Sequence, residues 1–428
     1  MKWRTLIGLG IVAICAVPGV ATATDGYFSH GYGMKAKGMG GAATALSEDT
    51  FGGANNPASM VWVGERLDVG VELFSPRRSA SRTGSMGGVF DGAVDSERDL
   101  FPIPEFGYNQ MLTRDLSLGV TVYGNGGLNT QYPASGQADS GACAGGGPSG
   151  VKGNNLLCGT TRLGVDLMQL VVAPTLSYKL SSQHSIGVSP LIAYQRFRAE
   201  GLQAFANSVS SSSPGNVTNR GYDDSFGVGV RFGWMVKVTE SLTVGAAYAT
   251  RINMSEFDKY RGLFAEQGDF DIPENYNVGF AYRVTSRLLL AADYQRINYS
   301  AVPAIGNPSN NPGQFGTANG RGFGWSDVDV WKVGVEYMPN DRWAVRGGYS
   351  HSDNPIQGRD VTVNIIAPGV ITHHLTAGVT YTTETGGQLT LMYMHAFEKS
   401  VAGASTFGGT DTIRLHEESF GVAFGWKL

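Results

Sequence analysis

The last ten residues of the chain, 419–428, alternate strictly between two kinds of side chain. One face carries large apolar groups and the other carries small or polar ones: Phe420, Val422, Phe424, Trp426 and Leu428 against Ser419, Gly421, Ala423, Gly425 and Lys427. A period of two residues indicates a β-strand. Apolar bulk on one face and small residues on the other is typical of a strand between lipid and a lumen, whereas a soluble sandwich usually places charge on its outward face.

The same alternation recurs along the chain and predicts fourteen strands. Each is long enough for the roughly 9–11 residues that a tilted strand needs to cross a bilayer. The predicted strands are 66–75, 104–113, 115–124, 167–180, 184–198, 222–238, 241–254, 274–284, 287–299, 327–338, 342–351, 372–383, 387–398 and 415–428. Tyrosine and tryptophan collect near their ends, as in the aromatic girdles of membrane barrels.

The connections between these strands alternate between short and long. Short ones include 181–183, 239–240, 285–286 and 339–341, while the others are long and rich in Gly, Ser, Asn and Pro. Barrels of the bacterial outer membrane have short periplasmic turns and long extracellular loops. The predicted fold is therefore all-β: a 14-stranded antiparallel transmembrane β-barrel over residues 64–428, in a Gram-negative outer membrane, with both termini periplasmic.

The first residues have the features of a secretory signal peptide. Lys2 and Arg4 provide a positive start, residues 6–17 are apolar, and 21–23 form an A-x-A cleavage site. Residues 1–23 are therefore predicted to be removed. After them, no apolar run is long enough for a transmembrane helix.

Export changes both the charge and the cysteine count. Without Lys2 and Arg4 the chain has 30 basic and 36 acidic residues, a net charge of −6, which excludes a nucleic-acid partner. Cys143 and Cys158 remain as an even pair, for which a disulfide is expected and two buried free thiols are the alternative.

The alternation also predicts which charged side chains face the lumen. On the first strand these are Asp68 and Glu72, and on later strands Arg231, Arg251, Asp293, Lys332, Glu336 and Arg346. Buried unpaired charge is costly, so paired networks within the lumen are one interpretation. The other is that Arg251, Lys332 or Arg346 binds an anionic substrate.

Residues 24–63 precede the first strand and show no alternation and many small side chains. Strand side chains cannot fill a barrel of fourteen strands, and glycine permits close approach of one backbone to another. The segment is therefore predicted to be a hatch that plugs the lumen.

This segment resembles the start of the FadL-type outer-membrane transporters of long-chain fatty acids and aromatic hydrocarbons. The resemblance rests on an ordered set of short motifs: Gly31-Tyr32-Gly33, Gly38-Met39-Gly40-Gly41-Ala42 and Asn56-Pro57-Ala58. It implies a hatched fourteen-stranded barrel and passive uptake. The ligand would enter an apolar groove among the outer loops, move to a lumen site gated by the hatch, and leave sideways at a kink in the third strand.

Two of these implied features have candidate residues. For the kink these are Gly124, Gly126 and Gly127, which could also simply begin a loop. For the groove they are Leu156, Leu157, Leu163, Leu202, Phe205 and Val209. The spacing within 202–209 predicts a short amphipathic helix, and packing of the loops on one another is the alternative to a ligand groove.

Three functions compete at this stage. A hatched transporter of hydrophobic compounds, most readily of long-chain fatty acids and otherwise of hydrocarbons such as toluene, is favoured over a general diffusion porin. An enzyme is disfavoured because the chain has no G-x-S-x-G motif and its seven histidines lack metal-ligand spacing. We therefore expect no catalytic residue, metal or cofactor. The expected partners are a hydrophobic small molecule, outer-membrane lipid and lipopolysaccharide, and the expected state is a monomer.

Overall fold

The computed structural model describes residues 25–88, 90–134 and 155–428. Within these ranges sixteen strands belong to one antiparallel sheet. In chain order they are β1 Arg66–Thr83, β2 Gly92–Asp95, β3 Phe101–Met111, β4 Leu116–Asn129, β5 Gly164–Lys179, β6 His184–Glu200, β7 Asp223–Lys237, β8 Leu242–Ala249, β9 Asn253–Met254, β10 Asn275–Thr285, β11 Leu288–Ile297, β12 Val328–Asn340, β13 Trp343–Ser352, β14 His373–Thr382, β15 Gln388–Ala404 and β16 Thr410–Lys427.

The sheet closes on itself because the first strand pairs with the last. β1 and β16 are in register from Arg66 opposite Lys427 to Thr83 opposite Thr410. The short strands β2 and β9 attach to β1 and β7 beside the main path, so fourteen strands form the closed wall. The predicted fold class, a 14-stranded antiparallel barrel, is confirmed.

The predicted facing of the wall residues agrees with their exposure. Val69 and Leu73 of β1 are 42% and 44% exposed, whereas Asp68 and Glu72, which directly precede them, are buried. The same holds on β7, where Phe226, Val228 and Phe232 are exposed and Arg231 is buried. The outside of the barrel is thus an apolar band suited to lipid, and the polar side chains point inward.

Two predicted strand ends were wrong in ways that affect function. β4 continues to Asn129 instead of ending at 124, because its glycines remain paired with β5. β8 ends at Ala249, so Arg251, predicted to face the lumen, lies in the loop beyond the strand and its side chain is 36% exposed. Since the two-residue alternation holds only within a strand, it did not apply at 251.

The helices are single turns. The α-helices are α1 Met34–Lys37, α2 Met60–Val63, α3 Ala265–Gly268, α4 Pro303–Gly306 and α5 Val361–Asn364. The 3-10 turns are Phe51–Gly53, Pro57–Ser59, Met86–Gly88, Gln203–Phe205, Pro214–Asn216, Asp258–Tyr260, Tyr299–Ala301 and Gly358–Asp360. None of the helices in the described ranges has the length and hydropathy to span a bilayer.

The amphipathic helix predicted within 202–209 is absent, since the chain forms only the turn Gln203–Phe205 there. Asn207 explains the difference. Its side chain accepts hydrogen bonds from the N–H groups of Val209 and Ser210, at 3.0 Å each, and donates to the Ala204 carbonyl. These local bonds compete with helix propagation.

Residues 25–63, which we call the N-terminal segment, lie inside the barrel. Almost all of them are buried, although they contain few large side chains. Atoms of this segment pack directly against the lumen side of glycines on seven wall strands: Gly107, Gly187, Gly233, Gly245, Gly334, Gly348 and Gly378. Glycines on the wall and in the segment thus allow the two backbones to approach closely.

Adjacent glycines of β13 test this packing. A Cβ at Gly348 would overlap backbone atoms of Met39 and Gly40, whereas a Cβ at Gly347 would have its nearest neighbour at 3.8 Å. We expect Gly348→Ala to destabilise the folded barrel by about 1–3 kcal/mol through overpacking, and Gly347→Ala to be nearly neutral. The midpoint of the heat-induced mobility shift on a semi-native gel would measure both. Equal midpoints would contradict the placement of the segment against β13.

Candidate functional site

The N-terminal segment is fastened to the wall at its Asn-Pro-Ala turn. The Asn56 side chain donates to the carbonyl of Thr44 at 2.7 Å and to that of Trp234, on β7, at 3.0 Å. Its oxygen accepts the N–H of Ala58 and so caps the turn that Pro57 begins. Asn56 therefore joins two parts of the segment and the wall through one side chain.

The glycine motifs occupy places where a side chain would not fit. Gly33 has φ of +87° and directs its N–H to Glu105 of β3. Gly40 has φ of +68° and donates to the Thr376 hydroxyl of β14 at 2.8 Å. Among the other motif glycines, Gly31 lies against Gly41 and Gly38 lies against Gly378 of β14.

Buried ion pairs hold the segment at several heights of the lumen. Lys37 pairs with Glu72 of β1, and Glu105 of β3 lies 3.9 Å away. At a separate point, Asp293 of β11 accepts the N–H groups of Ala43 and Thr44 and the Thr44 hydroxyl, at 2.7–2.9 Å. Lys37 of the segment thus has wall carboxylates as partners, and the wall carboxylate Asp293 has hydrogen-bond donors of the segment as partners.

Two of the predicted lumen cations belong to this network. Lys332 donates to the His30 carbonyl at 2.8 Å and lies 3.6 Å from the Asp25 carboxylate. Arg346 pairs with Glu336 of β12 and, at 3.3 Å, with Glu48 of the segment. Both side chains are buried and already engaged, so they hold the segment in place instead of presenting free charge.

The third predicted cation lies elsewhere. Arg251 is in the loop after β8, where it lies 3.6 Å from Asp271 and donates to the Ala301 carbonyl. Burial, together with the neighbouring Asp271, raises the pKa of Asp269 in the same loop to about 7. Arg251 therefore belongs to a loop cluster with carboxylates and not to the lumen.

The third wall strand, β4, has an irregularity at the predicted glycines. Its register with β5 shifts between Gly124 and Gly126, which leaves Asn125 unpaired with that strand. The N-terminal segment supplies the missing bonds: Ser29 donates to the Asn125 carbonyl and Gly127 donates to the Tyr27 carbonyl, both at 3.1 Å. The wall at this bulge is therefore completed by residues of the segment.

An apolar groove lies among the long loops. Its cavity volume is about 30 Å³, room for about two water-sized spheres. Four phenylalanines from three loops line it, together with aliphatic residues and one cation: Phe205, Phe264, Phe315 and Phe323, with Leu157, Leu202, Leu263, Ala304, Val363 and Ile366, and Arg321. The groove is nearly closed in this state.

The sequence identified part of this groove. Leu157, Leu202 and Phe205 line it, while Leu156 and Leu163 are buried in the surrounding core. Val209 is 83% exposed and does not contribute, because the predicted helix does not form. Phe264, Phe315, Phe323 and Arg321 were missed. Aromatic residues within long polar loops were the signal that could have indicated them.

Aromatic rings continue from the groove to the N-terminal segment. Phe264 contacts Phe270 with ring centroids 4.8 Å apart, and Phe270 lies 6.2 Å from Tyr27. Tyr27 also lies 5.1 Å from Tyr299 and 6.0 Å from Trp325. Since the Tyr27 carbonyl bonds to β4, one continuous apolar cluster links the groove to the bulge.

Cys158 is buried and disulfide-bonded. Its expected partner, Cys143, lies outside the described residues, so the predicted pairing stays a prediction. Within the described ranges, no group of three or more His, Cys, Asp or Glu side chains could hold a metal ion.

A closed fourteen-stranded barrel with an apolar exterior is typical of an integral outer-membrane protein. The family model described as outer membrane protein transport protein (OMPP1/FadL/TodX) matches residues 153–424. The chain belongs to this family, whose members are passive transporters of hydrophobic compounds and not enzymes. No curated protein sequence matches the chain.

Solved structures show the same fold at low sequence identity. The toluene transporter TodX of Pseudomonas putida is 17% identical, with 95% of this chain and 100% of that chain covered and a TM-score of 0.69. The toluene transporter TbuX of Ralstonia pickettii is 19% identical, with coverage of 93% and 99% and a TM-score of 0.63. A Pseudomonas aeruginosa FadL homologue is 15% identical, with coverage of 94% and 99% and a TM-score of 0.69.

The fastening by Asn56 can be tested against its neighbour. Asn56→Ala removes the hydrogen bonds to the carbonyls of Thr44 and Trp234, and leaving a buried polar group unsatisfied costs about 1–3 kcal/mol. We expect more frequent opening of the lumen, seen as added current steps in planar bilayers. Asn55→Ala is the control, since among the described residues the Asn55 side chain bonds only to the Tyr32 carbonyl of the segment itself. Matching current traces for the two variants would show that Asn56 does not fasten the segment.

Proposed function

We propose that the protein takes up long-chain fatty acids across the outer membrane. The observation that supports this most directly is Arg321 at the edge of the apolar groove. Its Nε donates to the Asn311 carbonyl at 3.2 Å and its guanidinium lies 5.8 Å from the centre of the Phe315 ring. In the described part of the chain no carboxylate lies within ion-pair distance of it. An acyl chain in the groove could therefore place its carboxylate against Arg321.

The groove must open before it can hold such a ligand. Small-molecule sites usually enclose about 300–1,000 Å³, far more than the cavity present. Leu263 and Phe205 are contributed by separate loops, so side-chain and loop movement can enlarge the space. Binding would then select an open form of the loop end.

The route beyond the groove follows the aromatic cluster. A ligand that displaced Tyr27 would disturb the bonds of residues 27–29 to the β4 bulge. Release of the N-terminal segment from Asn125 and Gly127 would leave backbone groups of the wall unpaired and open a gap there. We propose that residues 24–63, which include the N-terminal segment, act as a hatch and that the ligand leaves sideways through this gap.

Uptake of monoaromatic hydrocarbons is the alternative. Four phenylalanines surround the groove, and the lumen cations Lys332 and Arg346 are engaged by the segment. A hydrocarbon needs no cation, so both observations suit it. A general diffusion porin is less well supported, because the N-terminal segment fills the lumen that such a channel would need to keep open.

We also propose an orientation of the barrel in the outer membrane. Short turns lie at the end where β1 begins and β16 ends, and long loops lie at the other. By analogy with known outer-membrane barrels, the short turns and both termini would be periplasmic. The proposed signal peptide, residues 1–23, lies outside the described residues. We further propose a Gram-negative host and a monomer.

Replacing Arg321 separates the two substrate classes. We expect Arg321→Gln to weaken oleate binding to the detergent-solubilised protein about tenfold, equivalent to about 1.4 kcal/mol, and to leave toluene binding unchanged. Arg220→Gln is the control, because Arg220 is an exposed loop arginine outside the groove. Isothermal titration would measure both ligands.

The other outcomes are informative. If toluene binds and oleate does not, or if oleate binding is indifferent to Arg321→Gln, the fatty-acid proposal fails and the hydrocarbon alternative gains support. If neither ligand binds and planar bilayers show steady ion conductance, the protein is a porin.

A further inference from the structure

The outer face of the barrel carries a polar patch where β1 lies between β2 and β16. The strands are in register there, so outward side chains form rows across the three strands. Arg77 lies opposite His416, Ser79 lies between Asp95 and Arg414, and Ser81 lies between Ala93 and Thr412. We call Arg77, Ser79, Ser81, Asp95, Thr412, Arg414 and His416 the β1/β16 patch.

The patch lies just beyond the apolar band. The last apolar row is Leu73 opposite Phe420, both more than 40% exposed. Arg77 follows four residues later, about 13 Å along the strand at roughly 3.3 Å per residue. With the usual strand tilt of about 35–45°, this is about 10 Å further along the membrane normal. That height corresponds to the lipid headgroups and not to the hydrocarbon core.

The patch borders the large cavity of the outer face. Its volume is about 520 Å³, and its lining includes Ser79, Ser81, Asp95, Thr412 and Arg414. Hydroxyl groups, one carboxylate and one guanidinium in a shallow space provide both donors and acceptors. This combination suits a sugar that also carries an anionic group.

Several of these side chains have spare bonding capacity. Within the described part of the chain, five of these side chains make no hydrogen bond: Arg77, Ser79, Ser81, Asp95 and Thr412. Arg414 lies 3.5 Å from Glu398, but both side chains are more than half exposed, so the pair is weak. Arg77 and Arg414 are diagonal neighbours on the sheet, close enough for two long side chains to reach one anion.

We propose that the β1/β16 patch binds the phosphorylated sugar headgroup of lipopolysaccharide in the outer leaflet. Arg77, Arg414 and His416 contact a phosphate, for which guanidinium groups are well suited. Ser79, Ser81, Thr412 and Asp95 bond to sugar hydroxyls. The lipid acyl chains lie against the apolar band below, at Leu73 and Phe420. In the cell this site requires the long loops to face outward.

The test uses the full-length protein in detergent and defined lipids. Native mass spectrometry would compare retention of bisphosphorylated lipid A by the wild-type protein and by the double variant Arg77→Gln/Arg414→Gln. Arg342→Gln is the matched control, because Arg342 at the opposite end is as exposed as Arg414 and also pairs with a glutamate, Glu384 at 2.9 Å. Lipid A stripped of phosphate provides the ligand control.

We expect the double variant to retain about tenfold less lipid A than the wild-type protein, and the Arg342→Gln variant to retain as much as the wild type. Dephosphorylated lipid A is expected to bind the wild-type protein as weakly as intact lipid A binds the double variant. Equal retention by all three proteins would overturn the proposal. Dimerisation through this face would also overturn the proposal, and it would be detected as a dimer that the wild-type protein forms and the double variant does not. Oleate binding measured alongside is expected to be unchanged, which separates this site from the proposed substrate groove.

Discussion

The structure depends on one constraint: within hydrocarbon, a backbone N–H or C=O has no water to bond to. The pairing of β1 with β16 meets it by removing the last free edges of the sheet. Every wall strand then has two neighbours and needs only apolar side chains on its outer face. The two-residue period of the sequence follows from this arrangement, because alternate side chains of a wall strand face lipid and lumen.

Closure of the sheet also creates a lumen, which strand side chains alone do not fill in a barrel of fourteen strands. Here the N-terminal segment occupies it, with its backbone against glycines of the wall and its charges against charges of the wall. A buried ion pair gains little net free energy, because desolvation offsets most of the attraction. A segment held by such pairs is specific in position without being as firmly held as an apolar core. The proposed movement of this segment as a hatch would require this property.

The lumen of the barrel and the end that carries the long loops differ in chemistry. The lumen beside Lys37 and Glu72 is polar, whereas the loop end is a large apolar core that includes Phe197, Phe257 and Trp325. Long loops outside the membrane can bury apolar residues against one another, since water satisfies their exposed backbone. In the proposed orientation, with the long loops outward, a hydrophobic molecule would meet apolar surface first and the paired network only afterwards. Tyr27 belongs to the core, and its carbonyl is bonded to the β4 bulge, so it lies at the boundary between these environments.

The alternation of side chains in the amino-acid sequence was enough to predict the barrel and its number of strands, because alternation is a property of consecutive residues. It also predicted which charged side chains face inward, namely Asp293, Lys332, Glu336 and Arg346. It failed at Arg251, where the strand had already ended, and at 202–209, where the Asn207 side chain stopped the helix. The partners of the inward charges could not be predicted in the same way. Glu48 and Arg346 are separated by 298 positions, and closure of the barrel brings them together. Whether a lumen cation is free for a ligand or occupied by the segment was therefore decided by the tertiary structure.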